Sequence, residues 1–203
     1  MILNTLLSAL FFYAFDLSFC LKYKDINFII SNIHASITFL NSVLFLTEII
    51  DMSLYIQISA ISIGYGIYDI YILKINNDRN FKNMLIHHLI IIIANIWLYI
   101  FNDFFMTRIA AFNYLTEIST PFLNLSLYLY QNNKTKLYIA NCNLFKISNI
   151  MLILTFFIFR IVFGLYLVKI TLFYNNLSFL QIILWLLNVY WFYKILKNSI
   201  KFI

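Results

Sequence analysis

Proline occurs once and glycine three times in 203 residues, so the chain has little of what punctuates loops, turns and linkers. Charged residues make up only 11%, too few to cover an aqueous surface, which excludes an ordinary soluble domain. Strands alternating polar and apolar with a turn about every ten residues, the signature of a membrane barrel, are missing: Leu89 to Ile93 and Met151 to Ile158 do not alternate. Two cysteines, Cys20 and Cys142, give no disulfide framework. The longest loop, Gln131 to Phe145, has room for no separate domain. No basic patch lies outside the flanks of the apolar runs, so nucleic acid is not an expected partner.

What remains is apolar. Hydrophobic residues are 63% of the chain and the mean hydropathy is +0.87, the composition of an all-α, polytopic helical membrane bundle. Seven segments read as transmembrane helices: Met1 to Leu21, Asn27 to Ile49, Leu54 to Leu73, Asn83 to Phe101, Phe104 to Tyr130, Lys146 to Ile170 and Asn176 to Lys197. The first lacks the basic start of a signal peptide and is read as a retained helix. The fifth contains Arg108, Glu117 and Pro121, so a re-entrant element, leaving six spans, is its alternative reading. The organisation is a first helix and loop over 1–26, a six-helix membrane domain over 27–197 and a short tail over 198–203.

Eleven of the fourteen basic residues, from Lys22 and Lys24 through Lys74, Arg79, Lys82, Lys134, Lys136 and Lys146 to Lys194, Lys197 and Lys201, fall at alternate ends of these segments. The opposite loops, around Asp51, Asn102-Asp103 and Asn175-Asn176, have none. The positive-inside rule therefore predicts a lumenal N-terminus and a cytosolic C-terminus. The sequon Asn133-Lys134-Thr135 would then be cytosolic and unmodified, and Asn176-Leu177-Ser178 lumenal but close to the membrane.

Polar residues recur inside the spans at helical spacing: His34, Thr38 and Asn41; Ser62, Tyr65 and Asp69; His88 and Asn95; Asn113, Glu117, Thr120 and Asn124; Gln181 and Asn188. Such stripes predict a bundle with a shared polar interior, because amides and carboxylates facing lipid would lack partners. At about 1.5 Å per residue from the basic flanks, Asp69, His87, His88 and Asn188 lie roughly 7 to 9 Å deep and His34 about 12 Å, which suits one layer opening to the cytosol. Glu117 and Arg160 lie at about 21 Å, near the bilayer centre, where opposite charges are expected to pair and brace two helices. Pro121 has no N–H for the Glu117 carbonyl, leaving an acceptor for the guanidinium.

The segments Gly64-Tyr65-Gly66-Ile67-Tyr68-Asp69, Ile86-His87-His88-Leu89, Leu115 to Asn124, Phe157-Ile158-Phe159-Arg160-Ile161 and Leu187 to Lys194, with Ser31-Asn32-Ile33-His34-Ala35 before them, resemble in order and spacing the TLC-domain superfamily. The superfamily includes ceramide synthases, translocon-associated membrane proteins and small proteins connected with membrane lipid composition. Glu117-x-Ser119-Thr120-Pro121-Phe122-x-Asn124 is most similar to the small-protein branch. The resemblance implies an endoplasmic-reticulum or related internal membrane, and membrane lipids, acyl-CoA or a membrane protein as partners. In ceramide synthases the paired histidines are implicated in acyl transfer, a role that would fall to His87 and His88. Where the synthases carry paired aspartates, this chain has Arg108, Asn113 and Glu117.

Two functions follow as expectations. One is a non-enzymatic lipid-binding or regulatory role, favoured by the branch resemblance, with His34, Asn124 and Asn188 lining the binding site. The other is an acyltransferase using His87 and His88, with Asp69 fixing an imidazole tautomer. Adjacent histidines lack the i, i+4 spacing and third ligand that a metal prefers. No metal or bound cofactor is therefore expected, acyl-CoA entering only as a substrate.

Overall fold

Where the apolar runs stop, short polar side chains close the helices. Asp51 Oδ1 accepts from the Leu54 amide at 2.8 Å, and Asp103 Oδ1 from the Met106 amide at 2.9 Å, each supplying an acceptor to an orphan N–H of a first turn. Asn102, at φ 49°, ends one helix in the left-handed conformation immediately before Asp103 begins the next, so two residues make the whole turn.

The computed structural model describes residues 2–20, 26–78, 80–174 and 178–199. Lys22, Lys24, Arg79, Lys201, the Asn175-Asn176 loop and the sequon beginning at Asn176 lie outside the described residues, wholly or in part. Among those described, the helices are α1 (Ile2–Cys20), α2 (Ile26–Leu46), α3 (Met52–Ile75), α4 (Phe81–Phe101), α5 (Phe104–Tyr114), α6 (Thr120–Gln131), α7 (Leu144–Thr155), α8 (Phe163–Tyr174) and α9 (Ser178–Ser199). A 3-10 turn, Leu115–Ser119, separates α5 from α6, and a π-helical stretch, Phe156–Val162, joins α7 to α8.

The result is a helical membrane bundle. Among the described residues, five stretches are long and apolar enough to cross a membrane: Asn27–Leu46, Met52–Ile75, Phe81–Phe101, Leu144–Phe173 and Ser178–Ser199. In α1 the apolar part is Thr5–Ala14. The expected span from Phe104 to Tyr130 is not one α-helix but eleven residues of α5, the 3-10 turn and twelve residues of α6. Pro121 lies at the start of α6, where its missing N–H is harmless. Leucine, isoleucine and phenylalanine side chains cover the outside, Phe173 being 76% exposed, as suits a lipid-facing surface.

Two compact units divide the chain, Met1–Leu115 and Thr116–Ile203, and their boundary falls inside that interrupted segment. In the first unit α3 is central, contacting α1, α2, α4 and α5. Its buried face is made of small residues, Ser59, Ala60, Ser62, Gly64 and Gly66, interleaved with Tyr55, Tyr65 and Tyr68, a composition that lets helices approach closely. At Gly64 a Cβ would collide with Ser8 and lie 2.7 Å from the Ala9 main-chain nitrogen, so glycine is what allows α1 to seat on α3. Phe12 of α1 then packs edge-on against Tyr65 at 5.5 Å and, with Ile30 and Tyr68, forms a core cluster.

In the second unit α6 packs on α7, and α9 on α7, the π stretch and α8. A π turn breaks the α-helical hydrogen-bond ladder, and Trp185 Nε1 of α9 donates to the Ile161 carbonyl inside it at 3.0 Å. The Gln131 to Phe145 loop contains a two-stranded hairpin, β1 (Tyr138–Ile139) and β2 (Cys142–Asn143). Its central residues, Ala140 and Asn141, both have positive φ, the requirement of a type I′ turn.

Candidate functional site

The α3–α4 hairpin places Asp69 and His88 level with each other. Asp69 stands six residues before the end of α3 and His88 seven after the start of α4, so the two fall at matching heights from their connection. His88 Nε2 is 2.7 Å from Asp69 Oδ2. With the carboxylate as acceptor, Nε2–H donates, which in the neutral ring puts the lone pair on Nδ1. That Nδ1 edge lies against α3: a Cβ at Gly66 would sit 3.5 Å from it and 3.6 Å from the His88 Cβ.

His34 of α2 joins the same group. Its ring stacks on Tyr65 at 4.0 Å and 12°, and its Nε2 is 3.2 Å from Ser62 Oγ. Tyr65 in turn meets His88 edge-on at 5.8 Å, and His87 meets His88 at 5.3 Å. All three histidines, Tyr65, Ser62 and Asp69 thus form one contiguous cluster carried by α2, α3 and α4. The histidines are buried, and the Asp69 side chain, 19% exposed, is the most accessible of the His88–Asp69 pair. Tyr65 is the participant that sequence reasoning placed on a stripe without naming it as a site residue. Its spacing of three from Ser62 and four to Asp69 was the available signal.

Asn124 and Asn188, expected to line the binding site, are buried members of the second unit. Glu117 and Arg160 belong to the second unit as well. Arg160 Nε donates to Ser119 Oγ at 2.8 Å, while Nη2 donates to Thr120 Oγ1 at 3.1 Å and to Glu117 Oε1 at 3.4 Å. Thr120 Oγ1 also donates to Glu117 Oε2 at 2.5 Å, and the guanidinium stands 5.1 Å from the Phe156 ring centroid. The 3-10 turn brings the Ser119 and Thr120 hydroxyls to the guanidinium as acceptors beside the Glu117 carboxylate. Among the described residues, no three or more of His, Cys, Asp and Glu come together as a metal site would require.

The architecture and the buried polar cluster together define a multi-pass helical membrane protein with an ionisable interior. A family model, the TLC domain, matches residues 26–197, from the first residue of α2 into the last turn of α9. The chain belongs to the TLC-domain family. It is 31% identical over 146 residues to a TLC domain-containing protein of Acanthamoeba polyphaga mimivirus, an alignment covering 68% of this chain and 69% of that relative. No solved structure gives a significant match.

Proposed function

We propose that this protein acts in lipid metabolism by holding a lipid at the histidine cluster and regulating membrane lipid composition, without turning the lipid over. The observation that carries this reading is how the imidazoles are engaged. His88 gives Nε2 to Asp69 and rests its other edge on α3 at Gly66, while His34 gives Nε2 to Ser62 and its ring face to Tyr65. The rings are held in fixed orientations by these contacts with neighbouring helices, an arrangement suited to holding a polar headgroup. The basic flanks support placing the hairpin end of the cluster at the cytosolic face, with the N-terminus lumenal.

A second reading rests on the 2.7 Å His88–Asp69 contact, which is also the pairing that orients a general base. In an acyltransferase, His88 Nδ1 would take the proton from an attacking amine or hydroxyl as the thiolate of acyl-CoA departs, with His87 alongside.

One experiment separates the two. Lipid bound to purified protein is measured by mass spectrometry, and thiol release from acyl-CoA is followed in parallel, for wild type, His88→Ala, Asp69→Asn and the His87→Ala/His88→Ala pair. The regulatory reading expects a lipid that the pair variant loses and no thiol release above buffer. Thiol release by wild type that Asp69→Asn slows and His88→Ala abolishes would replace it with the acyltransferase. Equal loss of protein abundance in all variants would reduce the cluster to helix packing.

A further inference from the structure

Some 21 Å along α3 from Asp69, by helical rise, lies a second polar group. It is built from Asn41 and Ser42 of α2, Tyr55 and Ser59 of α3, Asn95 of α4 and Tyr114 of α5, all buried. Its members carry no formal charge. The internal bonds fix the orientation of both amides. Asn41 Nδ2 donates to the Tyr55 carbonyl at 3.2 Å and to Ser59 Oγ at 3.3 Å. Asn95 Nδ2 donates to the Ile91 carbonyl at 2.8 Å and to Tyr114 Oη at 2.7 Å. A main-chain carbonyl can only accept, so the nitrogen of each amide must point there and each Oδ1 must point elsewhere.

Those two oxygens, Asn41 Oδ1 and Asn95 Oδ1, have no hydrogen-bond partner, and neither do Ser42 Oγ and Tyr55 Oη. The Tyr55 hydroxyl lies within side-chain hydrogen-bond reach of Ser42 and Ser59, with Tyr114 nearby, but neither serine is in good bonding alignment with it. Two unpartnered amide oxygens and two poorly aligned hydroxyls on three packed helices depart from the rule that buried polar groups are well bonded, and an apolar surround makes each one costly.

We propose that this end of the first unit is a binding site for a neutral hydrogen-bonding group, either water or the hydroxyls of a lipid. Two carbonyl oxygens require donors and two hydroxyls can donate in return, a pattern that matches the two donors and two acceptors of a water molecule or a pair of alcohol groups. A cation fits poorly, because no carboxylate is present to balance it in a hydrocarbon surround. Met52 begins α3 three residues before Tyr55, and α2 ends five residues after Asn41, so the site lies within about two turns of the bundle end and of polar solvent. It is separate from the histidine cluster and does not depend on the function proposed there.

The test uses the full chain in phosphatidylcholine nanodiscs. Radiolytic hydroxyl footprinting in 18O-labelled water reads whether Tyr55, 0% exposed, has water beside it, with the equally buried Phe12 as reference. Native mass spectrometry of the same preparation reads retained lipid, and the melting temperature of Ser42→Ala reads occupancy. For a water site, Tyr55 gains 18O well above Phe12 and Ser42→Ala lowers Tm by about 2 to 4 °C. For a lipid hydroxyl, Tyr55 stays unlabelled, a bound lipid mass is seen that an Asn41→Leu/Asn95→Leu variant loses, and Ser42→Ala again lowers Tm. If Tyr55 is unlabelled and no lipid is retained, the proposal is wrong, whatever Ser42→Ala does to Tm, since that variant also removes the neighbour of the Tyr55 hydroxyl.

Discussion

Arg160 offers the sharpest perturbation. Its side chain is 7% exposed, it binds three side-chain acceptors at 2.8, 3.1 and 3.4 Å, and the longest of these contacts is the one to the carboxylate. The hydroxyls of Ser119 and Thr120 therefore share the guanidinium with Glu117, and Thr120 bridges the two charges. Arg160→Leu preserves apolar contact with Phe156 but leaves Glu117 as a buried charge without its cation, a change that costs about 3 to 5 kcal/mol. For a chain of this length that is a fall in Tm of roughly 6 to 20 °C. Glu117→Gln keeps an acceptor of the same shape and should cost less, about 1 to 3 kcal/mol. In the double variant neither charge remains to be stranded, so the combined loss should fall short of the sum by about 0.5 to 3 kcal/mol. Arg160→Lys should land between wild type and leucine, since a point charge cannot reproduce the fork that reaches Ser119 and Thr120 together. The assay is thermal unfolding in one detergent, read by intrinsic tryptophan fluorescence. Losses that add to within about 0.5 kcal/mol would show that the charges do not stabilise each other.

Two other expectations follow from particular contacts. Gly64→Leu should lower Tm and loosen α1, and Ser8→Ala should not rescue it because the Ala9 main-chain nitrogen also stands in the way; an unchanged Tm would mean that α1 does not seat there. Asn133 should carry no glycan when the protein is made in eukaryotic membranes, and a glycosidase-sensitive mass on it would reverse the proposed orientation.

The helical bundle was legible because lipid removes the usual ambiguity. Apolar runs near twenty residues have one main solution in a bilayer, and the short polar residues Asp51, Asn102 and Asp103 mark their ends. The histidine cluster was legible in part, since His34, Asp69 and His88 stood on stripes and His87 adjoined them at comparable depth. Depth alone could not show that Asn124 and Asn188 belong to the second unit, because residue counting measures height along a helix and says nothing of its neighbours. The Ser42–Tyr55–Asn95 group escaped notice for a related reason. Tyr55 reads as one more aromatic in an aromatic-rich chain, and Ser42 as a bland neighbour of Asn41, until packing shows that their hydroxyls are buried together. Nor did anything in Phe156–Val162 announce a π turn, since its residues suit either winding and the choice is made by what they meet, here Trp185 at the Ile161 carbonyl and the Ser119 and Thr120 hydroxyls at Arg160.

That same helix also fixes a length. Lys146 and Lys169 stand near the two ends of the Leu144–Phe173 stretch, both exposed, and the 23 helical steps from one to the other span at most about 34 Å as α-helix. Long lysine side chains reach outward to the headgroups, so the pair acts as a ruler for the hydrocarbon layer. In a bilayer roughly 27 Å thick this rod must tilt, and in one of about 32 to 33 Å it can stand nearly upright. Because Trp185 holds α9 to the Ile161 carbonyl, any such tilt carries α9 along, so a change in membrane thickness would reach the second unit as a movement of two helices together.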